Sequence, residues 1–287
     1  MARLSRFQSF RTRVQCAFAL LTNAYAAGFA RGTIYQGPLK AVCVPGLNCY
    51  SCPGALGACP IGSLQAALNS FELKLPLYVT GFLCAFGALL GRFVCGWLCP
   101  FGFFQELHHK IPGVKKVRSF RGDAALRRLK YAVLAVAVVL LPLFARDSLG
   151  LADPWFCKYL CPAGTLMGGW TLAALNDGLR AALGWLFAWK SAVLVVIILC
   201  SAVIYRPFCK YLCPLGALYG FFNSIAAYRL RVDAARCISC GACTRACPMG
   251  APIPSAPDSA ECIRCGICRA VCPADAISTG FRKASDA

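Results

Sequence analysis

The sequence is poor in charge, and acidic residues are especially scarce. Only 14% of the 287 residues are charged, with 11 Asp and Glu against 30 Lys and Arg. Soluble domains are nearer a quarter charged, so the composition argues against disorder and against most soluble enzymes. Apolar residues make up 59% of the chain, and the mean hydropathy is +0.61. These values predict a membrane protein.

Familiar cofactor motifs are also missing. There is no C-x-x-C-H haem motif, no G-x-G-x-x-G dinucleotide motif, no P-loop and no H-E-x-x-H zinc motif. Cysteine, in contrast, is abundant, with 21 residues. Because the chain is too long and too apolar for a small disulfide scaffold, these cysteines are expected to bind metal. Lone cysteines inside apolar stretches (Cys16, Cys84 and Cys200) are expected to be structural.

Four apolar stretches are long enough to cross a membrane as helices, which takes roughly 17–25 residues. They cover residues 14–30, 75–93, 129–145 and 183–205. The shorter stretches 61–68 and 163–175 are predicted to be interfacial or re-entrant helices. The N-terminus also imitates a signal peptide, with Ala24-Tyr25-Ala26 as a cleavage site. Cleavage there would remove the first span.

The basic residues predict the orientation in the membrane. Of the 30 Lys and Arg, 23 lie in residues 1–13, in the loop 92–130 and from Arg206 onward. With four spans these segments share one side, so the positive-inside rule places both termini in the cytoplasm. We therefore expect a multi-pass protein of the inner, cytoplasmic membrane, in contact with lipid. This topology explains the net charge of +19 without nucleic acid as a partner.

The sequence repeats internally. The motif F-C-K-Y-L-C-P-x-G occurs at 156–164 and again at 208–216, with looser copies at 95–102 and 59–62. A short apolar stretch follows each C-P-x-G. The order of spans and motifs predicts a parallel duplication, with units at about 12–110 and 127–225 around a pseudo-twofold axis along the membrane normal. The fold class is therefore all-α: a four-helix transmembrane bundle, residues 1–228, followed by a different domain at 229–287.

The clearest motif lies in this last domain. The pattern C-x2-C-x2-C-x3-C-P occurs twice there, and in it three cysteines bind one 4Fe–4S cube while the fourth binds the other. Cluster 1 is thus assigned to Cys237, Cys240, Cys243 and Cys272, and cluster 2 to Cys262, Cys265, Cys268 and Cys247. A zinc site is disfavoured, since zinc motifs rarely use four closely spaced cysteines ending in proline. The segment is predicted to be a cytoplasmic, two-cluster domain of the bacterial ferredoxin type.

A third set of cysteines follows the second and fourth spans, on the inner side. The pseudo-twofold axis brings together two C-x3-C pairs, Cys95 with Cys99 and Cys209 with Cys213. Four thiolates suit a further 4Fe–4S cluster, although buried inert cysteines are the alternative. Lys158 and Lys210, inside the C-x3-C motifs, could compensate the charge of a cluster or simply reach the interface. His108 and His109 could bind quinone or be solvated interfacial residues.

Six cysteines lie on the outer side: Cys43, Cys49, Cys52, Cys59, Cys157 and Cys161. Symmetry pairs Cys59 with Cys161, so an outer cluster is predicted on Cys52, Cys59, Cys157 and Cys161, with Cys49 or Cys43 as substitutes for Cys52. Disulfides are the alternative, because the outer compartment is oxidising. With the outer cluster, the chain would hold four 4Fe–4S clusters.

At Cys95/Cys99, Cys209/Cys213 and the ferredoxin motifs, the chain resembles the membrane polyferredoxin family, over most of its length. Members accompany periplasmic nitrate reductase and nitrous-oxide reductase, and some act in cytochrome oxidase assembly. The resemblance implies a quinol dehydrogenase or an electron conduit. Pro45 to Pro53, Cys59 and the Cys157/Cys161 pair depart from the nitrate-reductase type and resemble a subgroup with extra outer cysteines.

Because cysteine sets lie on both faces, we expect the protein to carry electrons across the membrane. It would be an electron-carrier subunit of a larger redox complex, and its side chains would perform no acid–base chemistry. We expect electrons to pass from a cytoplasmic donor, such as reduced ferredoxin, to an extracytoplasmic flavin or haem protein. One alternative is exchange of electrons with the quinone pool, and a second is a redox-sensing or assembly module. The hydrocarbon core, roughly 30 Å thick, would separate clusters at its two faces, unless the C-P-x-G motifs draw them inward.

Overall fold

The computed structural model describes residues 2–69, 77–148 and 152–281. Its long helices are Ala2–Thr22, Leu77–Leu90, a run over 129–144, and Trp185–Val203. The 129–144 run widens into π-type turns between Leu134 and Leu140. Residues 75 and 76, the start of the second predicted span, lie outside the described residues, as do 282–287 at the end of the predicted tail domain.

These helices only partly match the prediction of four spans. In the described part of the chain, Trp185–Val203 alone is long and apolar enough to cross a membrane, and Leu77–Leu90 is apolar but shorter. The first predicted span, 14–30, is broken: one helix ends at Thr22 and another covers Ala26–Arg31. The break follows from the side chains of Thr22 and Asn23, which bond back to carbonyls of the last turn and so compete with its continuation.

Each of the four C-P-x-G motifs begins a helix, as expected for proline in a first turn, where its missing N–H costs nothing. These helices are Pro60–Leu68, Pro100–His109, Pro162–Gly164 with its continuation to Leu175, and Pro214–Phe222. Short helical turns lie in the connections between these helices. They are Pro38–Ala41, Phe93–Trp97, Asp123–Leu126, Phe156–Leu160, Asp177–Ala181 and Pro207–Tyr211.

The two halves of the bundle pack in the same way. Pro100–His109 lies between the first and last long helices, and Pro214–Phe222 lies between the 129–144 run and Leu77–Leu90. Each motif helix thus contacts one long helix of its own half and one of the other half. In a similar way, Pro60–Leu68 contacts Leu77–Leu90 and the 129–144 run. The centre of the bundle is therefore filled by the short motif helices.

The tail domain has a small two-stranded sheet and two short helices. Strands Tyr228–Val232 and Ile277–Phe281 pair antiparallel, with Leu230 opposite Thr279. Helices Ala242–Ala246 and Ile267–Val271 follow the C-x2-C loops and pack against each other. The last also contacts Ala2–Thr22, so the tail domain rests directly on the bundle.

Candidate metal centres

One local device recurs at all four C-P-x-G motifs. The cysteine precedes the first turn of the helix, and the backbone N–H of the glycine donates a hydrogen bond to its sulfur. The distance is 3.4 Å from Gly102 N to Cys99 Sγ and 3.3 Å from Gly216 N to Cys213 Sγ. Cys59 and Cys161 accept equivalent bonds from their own glycines. A helix N-terminus favours a thiolate over a thiol, so each motif prepares its cysteine to bind a cation.

Four buried cysteines form the inner group: Cys95, Cys99, Cys209 and Cys213. Their charges act on one another, and Gln105 Nε2 donates a hydrogen bond to Cys209 Sγ at 3.2 Å. Burial raises the pKa of the Cys209 thiol to about 12. Four thiolates in such a place require positive charge beside them, which iron would supply.

The outer group brings together Cys49, Cys59, Cys157 and Cys161. Burial, and then the charges of the other three cysteines, raise the pKa of the Cys157 thiol. Burial also raises the pKa of Cys59 to about 12 and that of Cys161 to about 11. The Lys190 ammonium acts on Cys49, Cys157 and Cys161 from the last long helix.

The fourth member of this group is Cys49, whereas the sequence analysis favours Cys52 with Cys49 or Cys43 as its substitute. The sulfur of Cys52 instead accepts hydrogen bonds from the backbone N–H groups of Gly54 and Ala55. The chain turns tightly there, with Cys52 N bonded to Cys49 O, so that Cys49 reaches the group instead. The sequence alone left this choice open, because Cys49 and Cys52 are only one turn apart.

A large cavity adjoins the outer group. It has a volume of about 990 Å³ and is lined by Cys43, Cys49, Cys59, Cys157 and Cys161 together with mainly apolar side chains. Cys52 does not line it. Lys40 and Lys190 lie at its wall, so the cavity offers apolar surface with two cations next to the sulfurs.

The tail domain separates its cysteines into two groups. Each group lines a small cavity of its own, Cys237, Cys240, Cys243 and Cys272 in one and Cys247, Cys262, Cys265 and Cys268 in the other. These are the two sets to which the motif assigned cluster 1 and cluster 2. Cys240 is exposed, whereas all four cysteines of the second group are buried. The first group therefore lies nearer the surface of the tail domain than the second group does.

Both tail loops share an unusual backbone shape. Ser239 and Arg264, each just before the second cysteine of its motif, have φ of 51° and 50°, and the glycines after those cysteines also have positive φ. Holding a non-glycine residue in this region costs about 1–2 kcal/mol. Turns of this kind aim successive N–H groups at one point and so form an anion-binding concavity. The loops are thus shaped to surround a negatively charged group.

The donor sets fit 4Fe–4S clusters. All 21 cysteines are free in this structure, and the disulfide alternative for the outer cysteines stays a prediction. No three Cys, His, Asp or Glu side chains in the described ranges converge on a single metal ion. A 4Fe–4S cube takes four thiolates, one for each iron, and each of the four groups contains four cysteines. Cys95, Cys99, Cys209 and Cys213 would hold one such cube, and the outer group and the two tail groups one each.

The lysines and histidines singled out in the sequence lie beside these groups without pointing at them. Lys158 pairs with Asp153 at 2.5 Å, and the buried Lys210 pairs with Asp123 at 2.7 Å. His108 Nδ1 is 3.0 Å from Phe104 O, and His109 Nδ1 is 3.1 Å from Ser201 O. Neither histidine lines the large cavity. Their roles in cluster electrostatics and quinone binding stay predictions.

Several residues that the sequence analysis missed contact the groups directly. Gln65 accepts a hydrogen bond from Cys157 N, and Gln105 accepts one from Phe208 N. Both glutamines stand at the same place in C-P-x-G-x2-Q, a pattern that the repeat comparison could have found. Arg92 and Arg206 likewise stand three residues before the first cysteine of each inner motif, and both are fully buried.

The outer loop, which carries Cys43, Cys49, Cys52 and Cys59, contacts the inner group. Gly46 lies so close to the inner motif that a Cβ there would be 2.8 Å from Leu98 O and 2.9 Å from Cys99 Cα. Tyr219, fully buried, donates a hydrogen bond to Pro45 O at 3.1 Å. The charges of Cys95 and Cys99 in the inner group and of Cys59 in the outer group act on Tyr219. Tyr219 therefore lies near both groups.

The tail domain meets the bundle at its second cysteine group. Asn223 donates hydrogen bonds to Cys262 O and Ser259 O, both at 2.8 Å, and accepts one from Arg92 N. Trp97 Nε1 donates to Arg264 O at 3.1 Å. The second tail group thus lies against the inner group, with the first tail group farther out.

Comparison with known families agrees with this geometry. Residues 75–119, 131–174 and 184–232 match one family described as a 4Fe-4S binding domain, and 230–253 and 256–278 match a second family of the same description. The first three segments contain the inner motifs and the Cys157/Cys161 pair, and the other two contain the tail motifs. The chain is a ferredoxin-like protein with tandem 4Fe–4S binding domains.

Individual relatives match over short stretches. YccM of Escherichia coli (strain K12), whose name describes an electron transport protein, is 38% identical over 58 residues, 20% of this chain and 16% of its own length. The methylamine utilization ferredoxin-type protein MauN of Paracoccus denitrificans (strain Pd 1222) is 39% identical over 69 residues, 24% of this chain and 23% of its own. The uncharacterized protein MJ0749 of Methanocaldococcus jannaschii is 31% identical over 87 residues, 30% and 28% of the two chains. The matches thus span less than a third of each relative. No solved structure matches the chain significantly.

Proposed function

We propose that this protein is a membrane polyferredoxin that conducts electrons across the inner membrane through four 4Fe–4S clusters. Electrons would arrive from a cytoplasmic one-electron donor at the tip of the tail domain, where Cys240 is exposed. They would leave on the outer side to an extracytoplasmic flavin or haem protein. Both termini would be cytoplasmic, as the basic loops favour.

One observation carries this proposal: the contact between the outer loop and the inner motif, at Gly46 and Tyr219. A 4Fe–4S cluster takes up and releases single electrons, and the protein supplies its ligands, spacing and electrostatics. A membrane roughly 30 Å thick would isolate clusters at its two faces. The contact of the outer loop with the inner motif would remove that obstacle, and the charges of cysteines from both groups act on Tyr219. Irregular backbone is tolerated at such a depth because it is buried in protein.

The residues along this path hold the groups in place. Asn223 and Trp97 fix the second tail group against the inner motif. Gln105 holds Cys209, and Gln65 holds the backbone of Cys157. These contacts join the two halves of the bundle and the tail domain in a fixed order: first tail group, second tail group, inner group, outer group.

The test uses the full chain, purified anaerobically and reconstituted in liposomes that contain oxidised cytochrome c. Wild-type protein should contain about sixteen irons and should reduce the trapped cytochrome when reduced ferredoxin is added outside. Cys161→Ala should stop this transfer while the tail clusters are still reduced. Cys84→Ala, a lone cysteine exposed on Leu77–Leu90, is the matched control. Transfer by Cys161→Ala at the wild-type rate would disprove the conduit.

Electron exchange with quinone is a second candidate, and the large cavity favours it. An apolar volume of about 990 Å³ beside the outer cysteines suits a lipophilic redox molecule better than the tethered His108 and His109 do. If quinone is the partner, a quinone analogue should change the EPR spectrum of the reduced outer cluster, and trapped cytochrome c should stay oxidised. A content of about twelve irons would instead leave the outer group without a cluster.

A further inference from the structure

Arg92 and Arg206 form a symmetric pair around the inner group. Arg92 Nη2 donates a hydrogen bond to the backbone oxygen of Cys209 at 3.2 Å, and Arg206 donates one to the backbone oxygen of Cys95. Each arginine therefore crosses from its own half of the bundle to the first cysteine of the other half. Both are fully buried, where an arginine is unfavourable unless its charge is compensated.

The glycines of the inner C-P-x-G motifs make room for this crossing. A Cβ on Gly102 would come within 2.7 Å of Arg206, and one on Gly216 within 3.3 Å of Arg92. Arg206 itself has φ of 49° and precedes Pro207, a conformation that is unfavourable for any residue except glycine. The fold thus keeps the Arg206 guanidinium in place against the preference of its backbone.

The acids that pair with these arginines do not cancel their charge. Glu106 is shared by Arg206 at 2.9 Å and Arg11 at 2.7 Å. Glu261 is shared by Lys130 at 2.5 Å, Arg92 at 3.3 Å and Arg127 at 3.9 Å. On each side, the cations outnumber the carboxylate that they share. The surplus positive charge acts on the inner thiolates: Arg206 on Cys209, Cys99 and Cys95, and Arg92 on Cys95, Cys209 and Cys213.

We propose that Arg92 and Arg206 are positioning residues that raise the reduction potential of the inner cluster. Reduction by one electron from the second tail cluster, which is oxidised in the same step, adds one negative charge to the inner cube. Two buried cations at fixed positions stabilise that charge, because the low dielectric of the interior leaves it unscreened. The inner cluster then accepts electrons from the tail more readily. This inference rests on the proposed function, which places a cluster in the inner group.

The test is an EPR-monitored redox titration of the full chain with all its clusters. Arg206→Gln should lower the equilibrium constant for reduction of the inner cluster by about tenfold, which is about 59 mV for a one-electron couple. Arg206→Lys keeps the charge and should restore most of the shift. Glu106→Gln should move the potential upward, because it removes the anion that partly balances Arg206. Arg180→Gln, which replaces an exposed arginine paired with Asp177, is the matched control and should change nothing.

The outcomes separate this inference from the proposed function. If wild-type protein lacks the inner cluster by iron content and EPR, the proposed function fails. If the cluster is present and its potential is the same in Arg206→Gln and Glu106→Gln, the inference is wrong. If the Arg206→Gln variant does not assemble the inner cluster, the Glu106→Gln variant is the test. A reduction potential of the inner cluster that falls or does not change in that variant overturns the inference. The first tail cluster, distant from both residues, serves as the internal reference.

Discussion

Substituting Gly46 by alanine would place one methyl group between the outer loop and the inner motif. The new Cβ would meet Leu98 O at 2.8 Å and Cys99 Cα at 2.9 Å, whereas an ordinary contact is 3.4 Å or more. Because both neighbours are backbone atoms, no side chain can rotate away to relieve the clash. The outer loop must therefore move away from the inner group.

Two effects of different size should follow from Gly46→Ala. Inserting a methyl group into a tightly packed interior costs about 1–3 kcal/mol, which the bundle should survive with all its clusters. The displacement also widens the gap between the inner and outer groups and disturbs the Tyr219 hydrogen bond to Pro45. We expect the iron content to stay at about sixteen per chain, while electrons reach the outer cluster more slowly.

Freeze-quench EPR after mixing with excess reductant can follow this step. In Gly46→Ala the tail and inner clusters should be reduced at the wild-type rate and the outer cluster later. Gly184→Ala is the matched control, because a Cβ at Gly184 meets no atom within 4 Å. If the outer cluster of Gly46→Ala is reduced at the wild-type rate, the contact at Gly46 is not the route between the two groups.

Three further predictions concern the ligand set, the tail interface and the buried ion pairs. Cys49→Ala should lower the iron content from about sixteen to about twelve, whereas Cys52→Ala should leave it unchanged; loss of iron only in Cys52→Ala would contradict the outer group described above. Asn223→Ala leaves two backbone carbonyls and one N–H without their hydrogen-bond partner, which costs about 1–3 kcal/mol for each group. Hydrogen exchange at residues 259–264 should therefore accelerate while both tail clusters remain. Unchanged protection would argue against this interface. Asp123→Asn strands the buried Lys210 and should destabilise the protein by about 3–5 kcal/mol at neutral pH. Although burial opposes ionisation, hydrogen bonds from Lys210, Tyr211 and Arg127 lower the pKa of Asp123. Its stabilising effect is therefore present above the ordinary pKa of aspartate and is lost as the pH falls through the lowered pKa, so unfolding curves of the two proteins should converge only in strong acid.

The sequence was most informative where structure is local. The spacing of the tail motifs predicted which cysteines lie together, since C-x2-C-x2-C can close only as a tight loop; their binding of clusters stays a prediction. The C-P-x-G motifs similarly predicted the starts of the four short helices. The choice between Cys49 and Cys52 could not be read from spacing, because it depends on how the outer loop packs against Gly164 and Lys190. Arg92 and Arg206 were missed although the repeat contains them, because basic residues beside predicted spans were counted only toward topology.

Helix length was predicted less well, and the reason also bears on how the inner and outer cysteine groups are arranged. The sequence analysis treats each continuous apolar run as one helix that crosses the whole membrane. In the structure, the centre of the bundle is occupied by motif helices and by the buried loop around Gly46, whose backbone polar groups are satisfied within the protein, as in the bond from Tyr219 to Pro45 O. If the bundle spans a membrane, as proposed, such a core would shorten the apolar length that each long helix needs, because irregular backbone is tolerated at membrane depth when it is buried in protein. The same core brings the outer loop against the inner motif at Gly46, so the short helices and this contact between the two groups would have one structural cause.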